Sequence, residues 1–278
     1  MRSNRFAVRR CLTLGALLLA VTPLAGCVAP GAKSPPPAGL DPPRRYACPK
    51  AAGPVTIDGR LDDPAWAAAP WTAPFVDIEG PRRPAPPLVT RAKLLWNNRY
   101  LYVGAQLDEP HVWATLTEHD AIVFHDNDFE VFIDPDGDRR EYYELEINAL
   151  GTIFDLFLVR TYIDGGPALH GWDLKGLRSA VHVDGTLNNP NDTDRGWSVE
   201  LALPWTALAE AAHRPTPPRP GDIWRVNFSR VQWQHRVVDG RYERVPDTPE
   251  HNWVWSPQGV VNMHLPEHWG YVEFVGAP

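Results

Sequence analysis

The chain has 278 residues, with 27 lysines and arginines against 34 aspartates and glutamates and a formal net charge of −7. Four of the arginines and no acidic residue precede Cys27, which leaves 23 basic residues against 34 acidic ones in the rest of the chain. This balance argues against a nucleic-acid partner, because such binding depends on cationic neutralisation of phosphates. Only Cys48 lies beyond Cys27, so a disulfide framework within one chain is excluded.

The first 26 residues have the pattern of an export signal. Four arginines precede the apolar run Leu12–Val21, which is shorter than the roughly 20 residues that span a bilayer. The segment Leu24-Ala25-Gly26-Cys27 resembles the bacterial lipobox, which implies cleavage before Cys27 and lipidation of that residue. Several acyl chains anchor a protein stably in the cell envelope, and Val28 favours the outer over the inner membrane. The alternative is an ordinary signal peptide with a chance cysteine.

A proline-rich segment follows the predicted signal. Residues 27–45 contain many prolines and few side chains that could pack, so they are typical of a semi-rigid tether. In the polyproline conformation this tether would reach at most ~55 Å. The remaining residues, 46–278, read as a single domain, because runs of the same kind continue through them.

Short apolar or alternating runs recur along this domain, separated by turn-forming glycine, proline, asparagine and aspartate. Valine, isoleucine and aromatic residues dominate these runs, and many short strands with turn signals indicate an all-β sandwich or barrel. Only Pro64–Ala69 and Pro204–Ala212 are predicted to be helical, and both are brief. The predicted strands are Ala92–Trp96, Tyr100–Leu107, Phe129–Asp134, Tyr142–Ala149, Thr152–Arg160, Ala180–Val183, Trp197–Leu203, Trp224–Trp233 and Tyr271–Val275.

Three consecutive strands predict a sheet with one apolar and one acidic face, because side chains alternate along a strand. Phe129, Val131 and Ile133 share the apolar face of the first strand. In the third strand Phe154, Leu156 and Leu158 read as core, which turns Asp155 outward. The acidic face would then carry Glu130, Glu144, Glu146, Asn148 and Asp155. Like charges on adjacent strands repel unless something compensates them. The candidates are a sugar's hydroxyls, a cation, Arg225, or Arg230 if its strand bulges.

Alternating aspartates connect two of these strands. Asp134, Asp136 and Asp138 could chelate Ca²⁺ through carboxylate oxygens. Their spacing differs from the EF-hand loop, and proline, aspartate and glycine are also favoured in hairpin turns. The pattern therefore favours a turn, with a structural calcium ion as the alternative.

Five segments together resemble the family 9 carbohydrate-binding modules, and they span nearly all of residues 55–275. The resemblance implies an all-β sandwich of the jelly-roll or DOMON-like kind, a non-catalytic role in polysaccharide binding, and structural calcium in some members. The five segments are Ile57–Trp66, Asp128–Asp134, Gly196–Trp205, Trp255–Pro257 and Pro266–Gly270.

The family's site holds a sugar between two aromatic rings, while an acid and an arginine bind its hydroxyls. Aligned through the resembling segments, the acid falls on Glu130 and the first ring near Phe124. The second ring falls near Met263, next to His264, and the arginine falls near Glu146. One ring is therefore missing and the cation has become an anion. The chain is similar to the divergent, often lipid-anchored, family 9-like group.

A loop tryptophan is a candidate for the missing ring. Trp172 lies in the glycine-bounded sequence His170-Gly171-Trp172-Asp173, and an aromatic ring stacks well on the C–H face of a sugar. The alternative is a ring folded back over the edge of the sandwich. The predicted carbohydrate-binding residues are Phe124, Glu130, Glu144, Glu146, Trp172, Arg225, Met263 and His264.

Three other functions stay open from the sequence. A b-type haem could be held by Met263 with His264 or His125, since DOMON-related sandwiches include haem proteins. The domain could instead be an assembly lipoprotein that binds another envelope protein. Glycoside hydrolysis by a pair such as Glu130 and Glu146 is the least favoured, so the chain is predicted not to be an enzyme.

Overall fold

The computed structural model describes residues 39–276. The predicted signal peptide, the lipidation site Cys27 and most of the predicted tether lie outside these residues. Within the described range, no helix has the length and apolar character needed to cross a membrane. Residues 39–276 all fall in one compact unit.

Residues 39–276 form fifteen strands and a few isolated helical turns, which confirms the all-β prediction. Each of the nine predicted strands is present, and both predicted helical segments form single turns. The strands are β1 (Arg45–Cys48), β2 (Val76–Asp77), β3 (Thr90–Trp96), β4 (Tyr100–Asp108), β5 (Asp128–Asp134), β6 (Arg140–Asn148), β7 (Ile153–Arg160), β8 (Ala168–Leu169), β9 (Arg178–Asp184), β10 (Gly196–Pro204), β11 (Ile223–Gln232), β12 (His235–Val238), β13 (Arg241–Arg244), β14 (His251–Val254) and β15 (Gly270–Phe274). The helical turns are α1 (Trp205–Leu208) and the 3-10 turns Pro64–Ala68, Gly80–Arg82, Val123–His125, Tyr162–Asp164 and Pro266–His268.

Two large sheets build a β-sandwich. The nine-stranded sheet runs in the order β1-β15-β11-β5-β6-β7-β8, with β14 beside β11 and β2 beside β14. The four-stranded sheet runs β3-β4-β10-β9, and β12 with β13 forms a separate hairpin. Among these fifteen strands every pairing is antiparallel except that of β1 with β15, which is parallel.

The main hydrophobic core lies between the two sheets. Phe129, Val131 and Ile133 of β5 enter it from the nine-stranded sheet, and Val199 and Leu201 of β10 enter it from the four-stranded sheet. The predicted alternation of β5 and β6 is therefore confirmed. Burial of each such side chain contributes roughly 1.5–3 kcal/mol to the free energy of unfolding.

A second, smaller core lies on the opposite face of the nine-stranded sheet. Segment 259–269 and the turn at Val123 cover this face, so strands β5 to β7 are buried on both sides. This arrangement places an apolar layer beside the acidic residues of the same strands. The second core comprises Ile78, Val123, Phe132, Tyr142, Phe154, Leu156, Leu158, Val254, Met263 and Trp269.

The position of Asp155 differs from its prediction. Asp155 lies opposite Leu145, on the face that carries the main core, while Phe154 and Leu156 point to the acidic face. The buried Asp155 carboxylate accepts the Leu174 N–H. The prediction of Asp155 on the acidic face is wrong, because apolar residues of β7 pack in the second core rather than the first.

A buried glutamate attaches the segment Ile57–Trp66 to the sandwich. Glu200 of β10 is fully buried, and its Oε2 accepts the N–H groups of Asp58 and Gly59, each at 2.9 Å. Its Oε1 accepts the Trp66 indole N–H at 2.7 Å. A Cβ on Gly59 would lie 2.6 Å from the β9 backbone, so this close approach requires glycine.

Replacing Glu200 with glutamine is expected to lower the free energy of unfolding by about 2 kcal/mol. The amide must turn its NH₂ toward at least one of the three donors, which leaves that donor without an acceptor. Urea denaturation measures the change. Glu243→Gln, an exposed site, is the matched control and should change stability by less than about 0.5 kcal/mol.

Candidate functional site

A pocket of about 390 Å³ opens on the acidic face of β5, β6 and β7. Its floor consists of side chains from these strands, and one wall is the loop that carries Met263 and His264. Six of the eight predicted site residues line this pocket, namely Phe124, Glu130, Glu144, Glu146, Met263 and His264. The assignment of these residues to sugar binding stays a prediction.

Three glutamates form the polar part of the floor. Glu130 of β5 lies directly opposite Glu146 of β6, and Glu144 lies opposite Phe132. None of the three glutamates is more than 5% exposed, although all of them line the pocket. Glu146 accepts the Phe124 N–H at 2.8 Å, whereas the Oε2 atom of Glu144 has no hydrogen-bond partner.

The predicted compensating arginines lie elsewhere. The Arg225 guanidinium donates to the carbonyl oxygens of Trp269 and Glu267, at 2.6 and 3.2 Å, and lies 3.9 Å above the Tyr271 ring. Arg225 shares the sheet face of Glu130 but does not line the pocket. Arg230 forms an ion pair with another carboxylate, that of Glu109. Within the described residues, no lysine or arginine lines the pocket.

Burial without a cation raises the pKa values of these carboxyl groups. Desolvation raises the pKa of Glu130 to about 7. Desolvation and the neighbouring acids raise the pKa values of Glu144, Glu146 and Asp128 well above their ordinary range. At neutral pH the floor therefore holds protons as well as negative charge, so it offers both hydrogen-bond donors and acceptors.

We expect the free energy of unfolding to fall by about 1 kcal/mol between pH 6.5 and 8.5 through Glu130 alone. The folded protein holds a proton on Glu130 up to pH about 7, whereas the unfolded chain releases it near pH 4.5. Stability is therefore lost as pH rises, and Asp128, Glu144 and Glu146 act in the same direction. His264 acts in the opposite direction by a smaller amount, about 0.4 kcal/mol, because burial lowers its pKa to about 4 whereas the unfolded chain still releases this proton near pH 6.5.

Urea denaturation at pH 6.5, 7.5 and 8.5 measures this pH dependence. Glu130→Gln should flatten it, because the amide does not titrate. An equal slope in the wild type and the variant would contradict the assignment to Glu130.

Exposed apolar side chains surround the pocket mouth. Ile122, Phe124, Tyr162 and Val261 all line the pocket, and each is at least 37% exposed. Tyr162 was not predicted, although two consecutive large apolar residues, Tyr162 and Ile163, close to two glycines could have indicated a functional loop. Such a rim can pack against the C–H faces of a sugar while its hydroxyls reach the glutamates.

Four further polar residues of the pocket were also missed. His170, Glu250, Asn252 and Asn262 line it, and the segments that carry them gave no periodic signal. Only the packing of these segments beside β5 to β7 reveals them.

Met263 and His264 form one wall side by side. Met263 is buried in the second core, and Nδ1 of His264 lies 3.0 Å from the Tyr142 hydroxyl. Axial haem ligands bind iron from opposite faces, which two neighbouring residues of one loop do not provide, and His125 is exposed outside the pocket. These positions do not fit the haem hypothesis.

Trp172 lies away from the pocket, against the edge of the main core. Its ring packs on Tyr143 and Phe157, with centroid distances of 5.2 and 6.0 Å, and its indole N–H donates to Glu210. Tyr143 belongs to the apolar face of β6. The pocket therefore does not use Trp172 as a second ring, and the folded-back alternative describes its position.

The aspartate segment is a hairpin turn between β5 and β6. The Asp134 carboxylate accepts the N–H groups of Gly137 and Arg139, at 2.8 and 3.0 Å, and Asp138 accepts the Arg140 N–H. Oxygens of Asp134, Asp136 and Asp138 also lie within 4.8 Å of one another. These hydrogen bonds satisfy the turn without a cation, and calcium binding here stays a prediction.

A larger cavity of about 530 Å³ lies beside the proline-rich loop Pro84–Leu88. Its buried acid, Glu109, is 2.9 Å from the Arg230 guanidinium and also accepts the Gln232 amide at 2.8 Å. Its charge is thus already neutralised. The smaller pocket is the better candidate, because its acids keep unused hydrogen-bonding capacity.

Comparison with known proteins agrees with this architecture. Residues 57–217 match the family model "Carbohydrate family 9 binding domain-like". An exoglucanase, XynX of Acetivibrio thermocellus, is 25% identical over 156 residues, which are 56% of this chain but only 12% of that enzyme.

Solved structures share the fold. A family 9 carbohydrate-binding module of Caldicellulosiruptor kristjanssonii, solved with cellotriose, gives a TM-score of 0.55 at 16% identity and covers 84% of this chain and 95% of its own. A family 9 carbohydrate-binding module of the same organism, solved with glucose, gives a TM-score of 0.55 at 16% identity and covers 84% of this chain and 97% of its own. The family model matches more than half of the chain, and this chain belongs to the carbohydrate family 9 binding domain-like family.

Proposed function

We propose that this protein is a non-catalytic carbohydrate-binding lipoprotein that captures oligosaccharides at the cell envelope. One observation carries the proposal, namely a pocket in which buried glutamates lie beneath an exposed apolar rim, in a member of a carbohydrate-binding family. The relatives solved with glucose and cellotriose favour sugars of the glucose configuration.

The pocket matches the two-sided chemistry of a sugar. Carboxylates accept hydrogen bonds from hydroxyl groups, and a protonated carboxyl also donates one. The exposed rings of Phe124 and Tyr162 offer flat apolar surfaces at the mouth. The volume of about 390 Å³ lies in the range of small-molecule sites.

The arrangement of the acids supports binding rather than catalysis. Glycoside hydrolases place two carboxyl groups about 5–9.5 Å apart on either side of the scissile bond. Here Glu130 and Glu146 lie directly opposite one another on adjacent strands of one buried floor, so they face a ligand from the same side. A hydrolase would show turnover that vanishes in Glu130→Gln or Glu146→Gln.

Isothermal titration of the purified full chain tests binding. The panel comprises cello-, xylo- and other plant oligosaccharides, titrated with calcium and again with EDTA. Saturable heat for one sugar class is expected. If a folded protein gives no heat of binding with any sugar of the panel, this result would contradict the proposal and favour a protein-binding role in envelope assembly.

The lipid anchor requires its own test. Wild-type protein is expected in the detergent-soluble membrane fraction and should incorporate a labelled fatty acid, whereas Cys27→Ser should do neither. Labelling that persists in Cys27→Ser would contradict this site of lipidation.

A further inference from the structure

We propose that the pocket selects an amino sugar, whose protonated amine occupies the acidic floor. This inference rests on the proposed sugar-binding function and names the ligand class of the same site. It depends on the charge, burial and unused hydrogen-bonding atoms of the floor.

The floor concentrates carboxyl groups that no cationic side chain of the protein compensates. Glu130, Glu144 and Glu146 line the pocket, and Asp128 lies behind them with oxygens within 4.8 Å of those of Glu130 and Glu146. Like charges directly opposite on paired strands destabilise a sheet. Neither lysine nor arginine contributes to the lining within residues 39–276, so a cation has to come from the ligand.

Two buried carboxylate oxygens at the floor or directly behind it have no hydrogen-bond partner. These atoms are Oδ2 of Asp128 and Oε2 of Glu144, on side chains that are at most 5% exposed. Buried polar atoms in folded proteins are almost always paired, and Glu144 belongs to the lining of the pocket, where a ligand can pair with its free oxygen. Both atoms accept hydrogen bonds when ionised, and a cationic donor satisfies this requirement best.

An ammonium group fits this floor better than a metal ion. It carries three N–H donors, and the floor presents the three glutamates Glu130, Glu144 and Glu146. Calcium takes six to eight oxygen ligands, which requires several neutral oxygens besides the carboxylates. Two side-chain amides line the pocket, Asn252 and Asn262, and Oδ1 of Asn262 already accepts the His264 N–H at 2.9 Å, so they supply fewer neutral oxygens than calcium requires.

The rim indicates that the cation is part of a larger molecule with apolar faces. Phe124 and Tyr162 stand exposed at the mouth above the acids, and Ile122 and Val261 extend the apolar surface. A sugar ring with a free amine combines a C–H face for this rim with a positive charge for the floor. An N-acetylated sugar has the same ring but lacks the charge.

Three disaccharides with the same β-1,4-linked skeleton separate the possible outcomes. They are the disaccharide of glucosamine, its N,N′-diacetyl form and cellobiose, titrated into the full chain at pH 6.5, where a primary amine is protonated. The amine is expected to bind at least tenfold more tightly than the other two. Glu144→Gln should reduce this preference at least fivefold, whereas Glu273→Gln, an exposed site on the same sheet, should leave it unchanged.

Each alternative result has a distinct meaning. Equal or tighter binding of cellobiose would overturn the amino-sugar inference and leave the proposed function intact. Cellobiose binding that appears only with calcium and disappears in EDTA would also overturn it, in favour of a metal at the floor. An absence of binding for every sugar of this set and of the wider panel would overturn both.

Discussion

Replacing Phe124 with alanine is expected to weaken oligosaccharide binding by roughly 10- to 100-fold. The ring lies at the pocket mouth and is 37% exposed, so it can stack on a bound sugar. Loss of a buried aromatic contact removes about 1.5–3 kcal/mol of binding free energy. The Phe124 N–H that donates to Glu146 belongs to the backbone and remains in the variant. Isothermal titration with the best oligosaccharide measures the change.

Trp172→Ala is the matched control, because Trp172 packs on Tyr143 outside the pocket. It should lower the free energy of unfolding but leave the dissociation constant within about twofold. Phe124→Ala should show the reverse, with weaker binding and little change in stability. Weaker binding in Trp172→Ala alone would move the sugar site to the loop after β8.

Replacing Arg230 with methionine is expected to lower the free energy of unfolding by about 3–5 kcal/mol. Arg230 is 1% exposed, and its guanidinium donates to Glu109, Gln232 and Thr90 at distances of 2.6 to 3.0 Å. Removing one partner of a buried ion pair leaves the other charge buried and unpaired. Urea or thermal denaturation measures the loss.

The double variant Arg230→Met with Glu109→Leu tests the cause. It should recover much of the lost stability, because neither buried charge remains. Arg236→Met removes an arginine from an exposed ion pair with Glu243 and should change stability by less than about 1 kcal/mol. A double variant no more stable than Arg230→Met would show that packing, rather than the unpaired charge, dominates.

Two regions of the sandwich with buried charged groups, the Arg230–Glu109 network and the glutamates of the pocket, differ in how these groups are paired. Around Arg230 each charged atom has a partner, so the network fixes the connection between β11 and the Glu109 loop. In the pocket, one oxygen of Glu144 has no hydrogen-bond partner. The Glu144 carboxyl group has no cationic partner, and burial raises its pKa. The first arrangement stabilises the fold, whereas the second leaves hydrogen-bonding capacity for the proposed ligand.

The sequence by itself determined the strands and the acidic sheet face on which the pocket lies. Alternation in Phe129–Asp134 and Tyr142–Ala149 separated apolar from acidic positions, because successive side chains of a strand point to opposite faces. The resembling segments then located Glu130, Phe124 and the Met263 region, which the structure brings into one pocket. Local periodicity and motif spacing are sufficient for these conclusions, since both are properties of neighbouring residues.

Only the tertiary structure determined which charged side chains lie next to one another. Strand pairing places Glu130 opposite Glu146. The Arg225 guanidinium instead donates to a backbone carbonyl group next to β15, and the Trp172 ring packs against the main core. Asp155 lies on the face opposite to the predicted one, because both faces of β7 are covered by other parts of the protein. An apolar residue in the sequence predicts burial, but it does not predict which of the two cores buries the side chain. Contacts such as these join residues far apart in the chain, so their pattern follows from packing and register rather than from any local signal.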